Sequence, residues 1–156
     1  MDRPIVRFAE HQDLNGILQL YKELRPHDPE LAFHDANIAW LRLLDQPHLR
    51  VVVADTQGHL ASTCMIAIIT SIASGARPFA VIEHVVTLAQ FRGRGLARAT
   101  VQYALDFAWS QNCCKVMLLS GVQRPEAHRL YEAMGFNGDV ERGFVIKPVS
   151  ASQPLR

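Results

Sequence analysis

The sequence lacks the features that would place it outside the ordinary globular class. Its three cysteines, Cys64, Cys113 and Cys114, form no disulfide framework or metal cage, because two are adjacent and none lies in a Cys-x-x-Cys spacing. Reduced, buried thiols are the expectation. No charge surplus exists either: 16 basic side chains, mostly Arg, are scattered among 15 acidic ones, which argues against a DNA or RNA partner. The longest apolar run, Cys64 to Ile69, falls far short of the ~18 residues a membrane-spanning helix needs. The opening MDRPIVRFAEHQDLNG has no signal-peptide core, so a cytoplasmic location without a membrane partner is expected. Internal repeats and long linkers are missing too.

What remains is a chain of 156 residues, 49% of them apolar, which suits one substantial core. A single domain over residues 1–148 with a loose tail at 149–156 is the expected organisation, the tail being rich in Ser, Gln and Pro. Ile5 to Phe8 reads as a strand, and Leu14, Ile17, Leu18 and Tyr21 repeat at the helical period. Arg25 to Pro29 breaks that helix. A second begins near His34-Asp35, with Ile38, Leu41 and Leu44 on one side, and stops before Pro47. Leu49 to Ala54 and Leu60 to Ile72 read as a hairpin around Asp55-Thr56-Gln57-Gly58, and Phe79 to Leu88 as a central strand. A helix from Leu96 to about Asn112 and a strand from Lys115 to Leu119 follow. Pro125 opens a last helix that Gly135 closes, and Gly143 to Lys147 is expected as a final strand. The pattern predicts an α/β (α+β) fold with a mixed, mostly antiparallel sheet flanked by helices.

The most informative stretch is Gln90-Phe91-Arg92-Gly93-Arg94-Gly95-Leu96-Ala97, between the central strand and the long helix. Two glycines let the backbone approach a ligand closely, and the first helical turn has N–H groups with no intrahelical partner. The helix dipole and Arg92 and Arg94 add positive charge, so a pyrophosphate is the natural guest. Two other phosphate loops fit poorly. A P-loop needs Lys-Ser/Thr where Leu96-Ala97 stands, and a dinucleotide turn needs a third Gly where Arg98 stands. A plain strand-to-helix turn is the competing reading.

With Arg92-x-x-Gly95-x-Ala97, the chain resembles the GNAT N-acetyltransferase family, whose acetyl-coenzyme A loop has the form Arg/Gln-x-x-Gly-x-Gly/Ala. Residues 124–136, a helix bearing Tyr131 and ending in Gly135-Phe136, resemble the family's second signature. The resemblance runs over nearly the whole chain, with the tail after Lys147 outside it. It implies a sheet splayed around acetyl-CoA. It also implies that backbone amides of Arg92, Gly93, Arg94, Gly95, Leu96 and Ala97 hold the pyrophosphate, while Val85, Val86 and Thr87 pair with the pantetheine arm like an added strand. The implied activity is direct transfer of acetyl to a primary amine of a small molecule or peptide, with no metal. The alternative is a non-catalytic acyl-CoA sensor or partner-binding module.

Glu83 is the expected base. A carboxylate inside an otherwise apolar strand is desolvated, which favours its neutral form, and a protonated amine must lose a proton before it can attack. Its competing reading is a solvated residue or the partner of an Arg. Tyr131 is the expected acid, a phenol able to give a proton to the departing sulfur, with simple core packing as the competing reading. Strand alternation places His84 on the face opposite Glu83, as a minor candidate for substrate contact, and His128 is given no role. A narrower resemblance, Val81 to Val86 followed by Asn112-Cys113-Cys114-Lys115-Val116, points toward the glucosamine-phosphate branch, although His84 and Cys114 stand where that branch usually has Asp and Tyr. The acceptor's identity and the oligomeric state stay open, a homodimer through an exposed sheet edge being the physically expected pairing.

Overall fold

Five strands form one sheet in the order β1-β2-β3-β4-β5, namely Ile5–Phe8, Leu49–Thr56, His59–Ile69, Phe79–Thr87 and Val116–Leu118. Every neighbouring pair is antiparallel except β4 with β5. The architecture comes from a computed structural model, which describes residues 3–148; the tail expected at 149–156 lies outside the described residues. The chain divides into two compact units, one running up to Leu118 and the other starting at Leu119.

In the first unit, helices cover both faces of the sheet. Leu14, Ile17 and Leu20 of α1 (Leu14–Leu24) and Ala36 and Trp40 of α2 (Phe33–Leu44) bury against Val51, Val53 and Val86. The spacing of the α1 residues puts them on one helical stripe. On the opposite face lies α4 (Leu96–Ser110), whose Leu96 packs with Ala54 and Ala61. There the Cys64 thiol donates to the Thr100 carbonyl at 3.5 Å, and burial pushes that thiol up to about 12, so it is an inert packing group. Cys113 is also buried, and Cys114 is half-buried.

The start of α1 is held by an ion pair. Asp13, 6% exposed, accepts two hydrogen bonds from Arg7, at 2.6 and 3.0 Å, and one from the Glu10 N–H at 2.7 Å. Burial alone would push its carboxyl upward. The Arg7 hydrogen bonds, the Glu10 N–H and the Arg7 charge together outweigh burial and hold it below the usual carboxylate range.

Three expectations need correction. In α2 the fully buried positions are Ala36 and Trp40, with Leu41 and Leu44 half-buried and Ile38 facing out, because the Trp40 indole donates to the His11 carbonyl at 3.2 Å and fixes the helix rotation. β3 ends at Ile69 rather than Ile72. A short turn, α3 (Ala73–Ala76), then reverses the chain through left-handed Ser74, Gly75 and Ala76. Finally, Gly143 to Lys147 forms no strand. A short apolar run becomes a strand only when a neighbour takes up its backbone groups, and here Phe144, Val145 and Ile146 are 87%, 73% and 96% exposed.

Candidate active site

β4 has two different halves. From Ala80 to Ile82 it is flanked on both sides, by β3 in register Ile68↔Ala80 to Ile66↔Ile82 and by β5 in register Ala80↔Val116 to Ile82↔Leu118. Beyond Ile82 the short β5 has ended. From Glu83 to Thr87 the strand is paired only with β3, and its other edge has no strand beside it among the described residues.

The pairing with β3 is also interrupted here. Met65 faces Glu83 and Thr63 faces Val86, so Cys64 alone opposes His84 and Val85, which is a β-bulge. The extra residue is accommodated by His84 in the left-handed region, at φ 55°. Consequently the alternation expected from sequence fails at this point. The His84 ring packs against Tyr21 of α1 with centroids 5.1 Å apart, on the α1 face that Met65 and Val86 also line. Glu83, opposite Met65, shares that face.

Past the bulge the strand is pinned to β3 again. The Ser62 hydroxyl donates to the Val86 carbonyl at 3.0 Å and lies 2.8 Å from the Thr87 hydroxyl, and the Leu88 N–H donates to Ala61. Because backbone groups of successive strand residues point to alternate edges, those of Val85 and Thr87 point to the bare edge. The Thr87 carbonyl is already used, accepting from Arg92 Nε at 3.1 Å.

A single 3₁₀ turn, Ala89–Phe91, leads from β4 into the loop Arg92-Gly93-Arg94-Gly95. Gly93 and Gly95 have φ of 74° and 75°, and a Cβ built on either would meet nothing within 4 Å. The left-handed φ explains why glycine stands there, and the empty surroundings leave the loop backbone open to a ligand. No side chain caps α4 at Gly95. The N–H groups of Leu96 and Ala97 therefore begin a 15-residue helix without intrahelical partners.

The loop arginines are not free cations. Arg92 bonds Glu23 of α1 at 2.7 Å, and Arg94 donates to the Gln90 carbonyl at 3.2 Å while its guanidinium lies 5.3 Å from the Phe91 ring centre. Both brace the loop, so the open donors are main-chain amides.

Glu83 is half-buried rather than enclosed. Among the described residues no cation pairs with it within 4 Å; Arg25, at the end of α1 and bonded to Asp28 at 2.6 Å, feels its charge from farther away. Glu83, Val85 to Thr87 and Arg92 to Ala97 thus line one continuous stretch of chain. Tyr131 belongs to the second unit, on α5 (Pro125–Ala133). Its helix closes with Phe136 N–H on the Tyr131 carbonyl and Gly135 N–H on the Glu132 carbonyl, both at 3.0 Å, a Schellman closure that sets Tyr131 edge-on to Phe136 at 5.9 Å. Tyr131 is 8% exposed. A shallow depression of about 570 Å³ lined by His11, Leu41, Arg42, Leu44 and Asp45 contains none of these residues. Among the described residues no helix is long and apolar enough to cross a membrane.

Residues 14–136 match the acetyltransferase (GNAT) family model. The chain belongs to the GNAT family. Its similarity to a putative acetyltransferase from Agrobacterium tumefaciens str. C58 has a TM-score of 0.88 at 41% identity, covering 92% of this chain and 99% of that one. A glucosamine 6-phosphate N-acetyltransferase of Trypanosoma brucei brucei is 28% identical over 131 residues, 84% of this chain and 87% of the relative. The fold is shared as well with an aminoglycoside N-acetyltransferase solved in complex with CoA, at a TM-score of 0.75 and 21% identity, over 95% of each chain. This GNAT protein is an N-acetyltransferase, and the family's acetyl donor is acetyl-CoA. The open loop amides and the bare edge of β4 fit a donor that carries both a diphosphate and an amide-bearing arm. What sequence reasoning missed is Tyr21 and the bulge at His84; no glycine marks the bulge, and Tyr21 reads as one more apolar position of α1.

Proposed function

We propose that this GNAT protein acetylates a primary amine of a small molecule or peptide at the open edge of β4. Main-chain N–H groups of Gly93 to Ala97 hold the pyrophosphate of acetyl-CoA, the Arg92 N–H being taken up by the Ala89 carbonyl at 3.3 Å, and the α4 dipole adds to the attraction. Val85 and Thr87 hold the pantetheine arm through their backbone, and the buried Val86 side chain keeps that stretch seated on the core. Bound acetyl-CoA supplies an acetyl group activated as a thioester. Glu83 takes the proton that the acceptor ammonium must lose, directly or through water, and Tyr131 supplies a proton to the departing sulfur. The reading is supported above all by one juxtaposition: the half of β4 that lacks a second partner carries the carboxylate and runs directly into the glycine loop.

The acceptor is kept at the level of a primary amine. The relative from Trypanosoma brucei brucei acts on glucosamine 6-phosphate by its name, but His84 and Cys114 depart from the pattern the glucosamine-phosphate branch usually has.

The test combines calorimetry with coenzyme A and thiol release over a panel of amines. The expected result is saturable coenzyme A binding and release with at least one amine. A Glu83→Gln change should lower kcat by about 100-fold and alter the pH–rate profile while leaving coenzyme A affinity within about twofold. An unaltered profile removes Glu83 from the base role, and tight binding with no release for any amine returns the protein to an acyl-CoA sensor.

A further inference from the structure

Acetyl transfer as described leaves two polar atoms beside Glu83 without a task. Tyr21 Oη and His84 Nδ1 are both shut off from solvent, and neither has a hydrogen-bond partner among the described residues. Their rings are neighbours, 5.1 Å apart and tilted by 39°. Each orphaned atom forgoes the bonds it had in water, a cost folded chains rarely accept without a partner that arrives later. At the same spot His84 holds a left-handed φ that non-glycine residues seldom adopt, and such strain gathers where a ligand is handled. Two orphans and one strained residue meet on the α1 side of the bulge, next to the proposed base.

The chemistry of the pair narrows what can satisfy it. Burial pushes the Tyr21 phenol up to about 12, with a smaller push from Cys64, so it stays protonated and donates. A neutral imidazole Nδ1 accepts or donates according to tautomer. An alcohol hydroxyl accepts from the phenol and completes either tautomer with its own proton or lone pair. An alkyl group would leave both atoms unpaired. A carboxylate would stand near Glu83, the like charge on the same face, with Arg25 more distant and already bonded to Asp28.

We propose that Tyr21 and His84 together bind a hydroxyl of the acceptor near its amine, so that the enzyme selects hydroxylated primary amines, such as amino alcohols and amino sugars, over plain alkylamines. This rests on the acetyl-transfer reading of the site. Tyr21 and His84 act here as specificity residues and take no part in moving protons.

The experiment compares kcat/KM for 2-aminoethanol and propylamine, which differ by a hydroxyl in place of a methyl group, in the wild type, Tyr21→Phe and His84→Gly. Glycine keeps the left-handed backbone of the bulge while deleting the ring. The expected wild-type preference for 2-aminoethanol is about tenfold or more, and each change should cut that ratio by about tenfold, mostly through KM. Tyr21→Phe should also melt no lower than the wild type, because it deletes an unpaired buried hydroxyl. A wild-type ratio near one, an unchanged ratio in Tyr21→Phe, or a preference for 1,2-diaminoethane over 2-aminoethanol overturns the proposal. Should no amine release thiol although acetyl-CoA binds, the transfer reading fails, and the pocket is then judged by NMR titration of the two amines into chain saturated with coenzyme A. Tighter binding of 2-aminoethanol, lost in Tyr21→Phe, sustains it; equal binding overturns it.

Discussion

The two halves of β4 differ in their partners as well as in their residues, the first wholly apolar and the second carrying Glu83, His84 and Thr87. Ala80 to Ile82 sits between β3 and β5, and its Ile82 side chain is fully buried. Glu83 to Thr87, which carries two valines beside Glu83, His84 and Thr87, has one neighbouring strand among the described residues, a bulge and a polar pair, and it feeds the glycine loop. Adjacent residues of one strand therefore serve different ends: the doubly flanked half holds the sheet together, and the singly flanked half keeps an edge free for a ligand.

This contrast is breakable by substitution. The largest effect should come from Ile82→Ala, which opens a cavity in the closed half; a loss of about 2–5 kcal/mol in denaturant unfolding is expected, with coenzyme A affinity of the remaining folded protein held within about twofold. A large drop in affinity would mean that the halves are not separable. Next, Gly95→Val on the open side should weaken coenzyme A binding by about tenfold or more in calorimetry, because a β-branched residue is strained at that φ and projects into the ligand's space. Its stability loss should be smaller than that of Ile82→Ala.

Acid separates the regions in another way. The Asp13 carboxyl lies below its unfolded range in the folded chain, so the stability it contributes is fully present above the unfolded value of about 4 and disappears as pH falls through the lower folded value. Thermal melts of Asp13→Asn should show a flatter acid limb below about pH 4 than the wild type. An identical limb would assign acid sensitivity elsewhere. The smallest effect belongs to Glu23→Gln. It releases Arg92 from an exposed pair worth at most about 1 kcal/mol, and should tighten coenzyme A about twofold with a steeper salt dependence. Weaker binding would show that Glu23 tethers the loop in place instead.

Much of this contrast was legible from residue order. Leu14, Ile17, Leu18 and Tyr21 announce α1, the two glycines before Leu96 announce an uncapped helix start, and Gly135-Phe136 announces the closure of the helix that bears Tyr131. Periodicity is local, and these features are local. The parts that were not legible depend on partners distant in sequence. Lys115 to Leu119 reads as a five-residue strand, yet only Val116 to Leu118 pairs, and that shortness is what bares β4. His84 reads as a residue facing away from Glu83, but the count of residues on β3 against β4 decides its direction. Ile38 looks as suited to the core as Trp40 until the indole finds the His11 carbonyl. Phe144 to Ile146 has the letters of a strand, yet no strand pairs with it among the described residues.

The surplus residue opposite Cys64 makes the length of β4 as constrained as its content. Removing one residue between Glu83 and Val85 would let the ladder close flush, at the expense of the odd-to-even switch that now turns Val86 inward and aims Val85 and Thr87 outward. Such a deletion variant would keep nearly every contact of the sheet while shifting the reach from Glu83 to Arg92 by one position. In this strand spacing is itself a functional quantity, invisible to any comparison of residue types taken one site at a time.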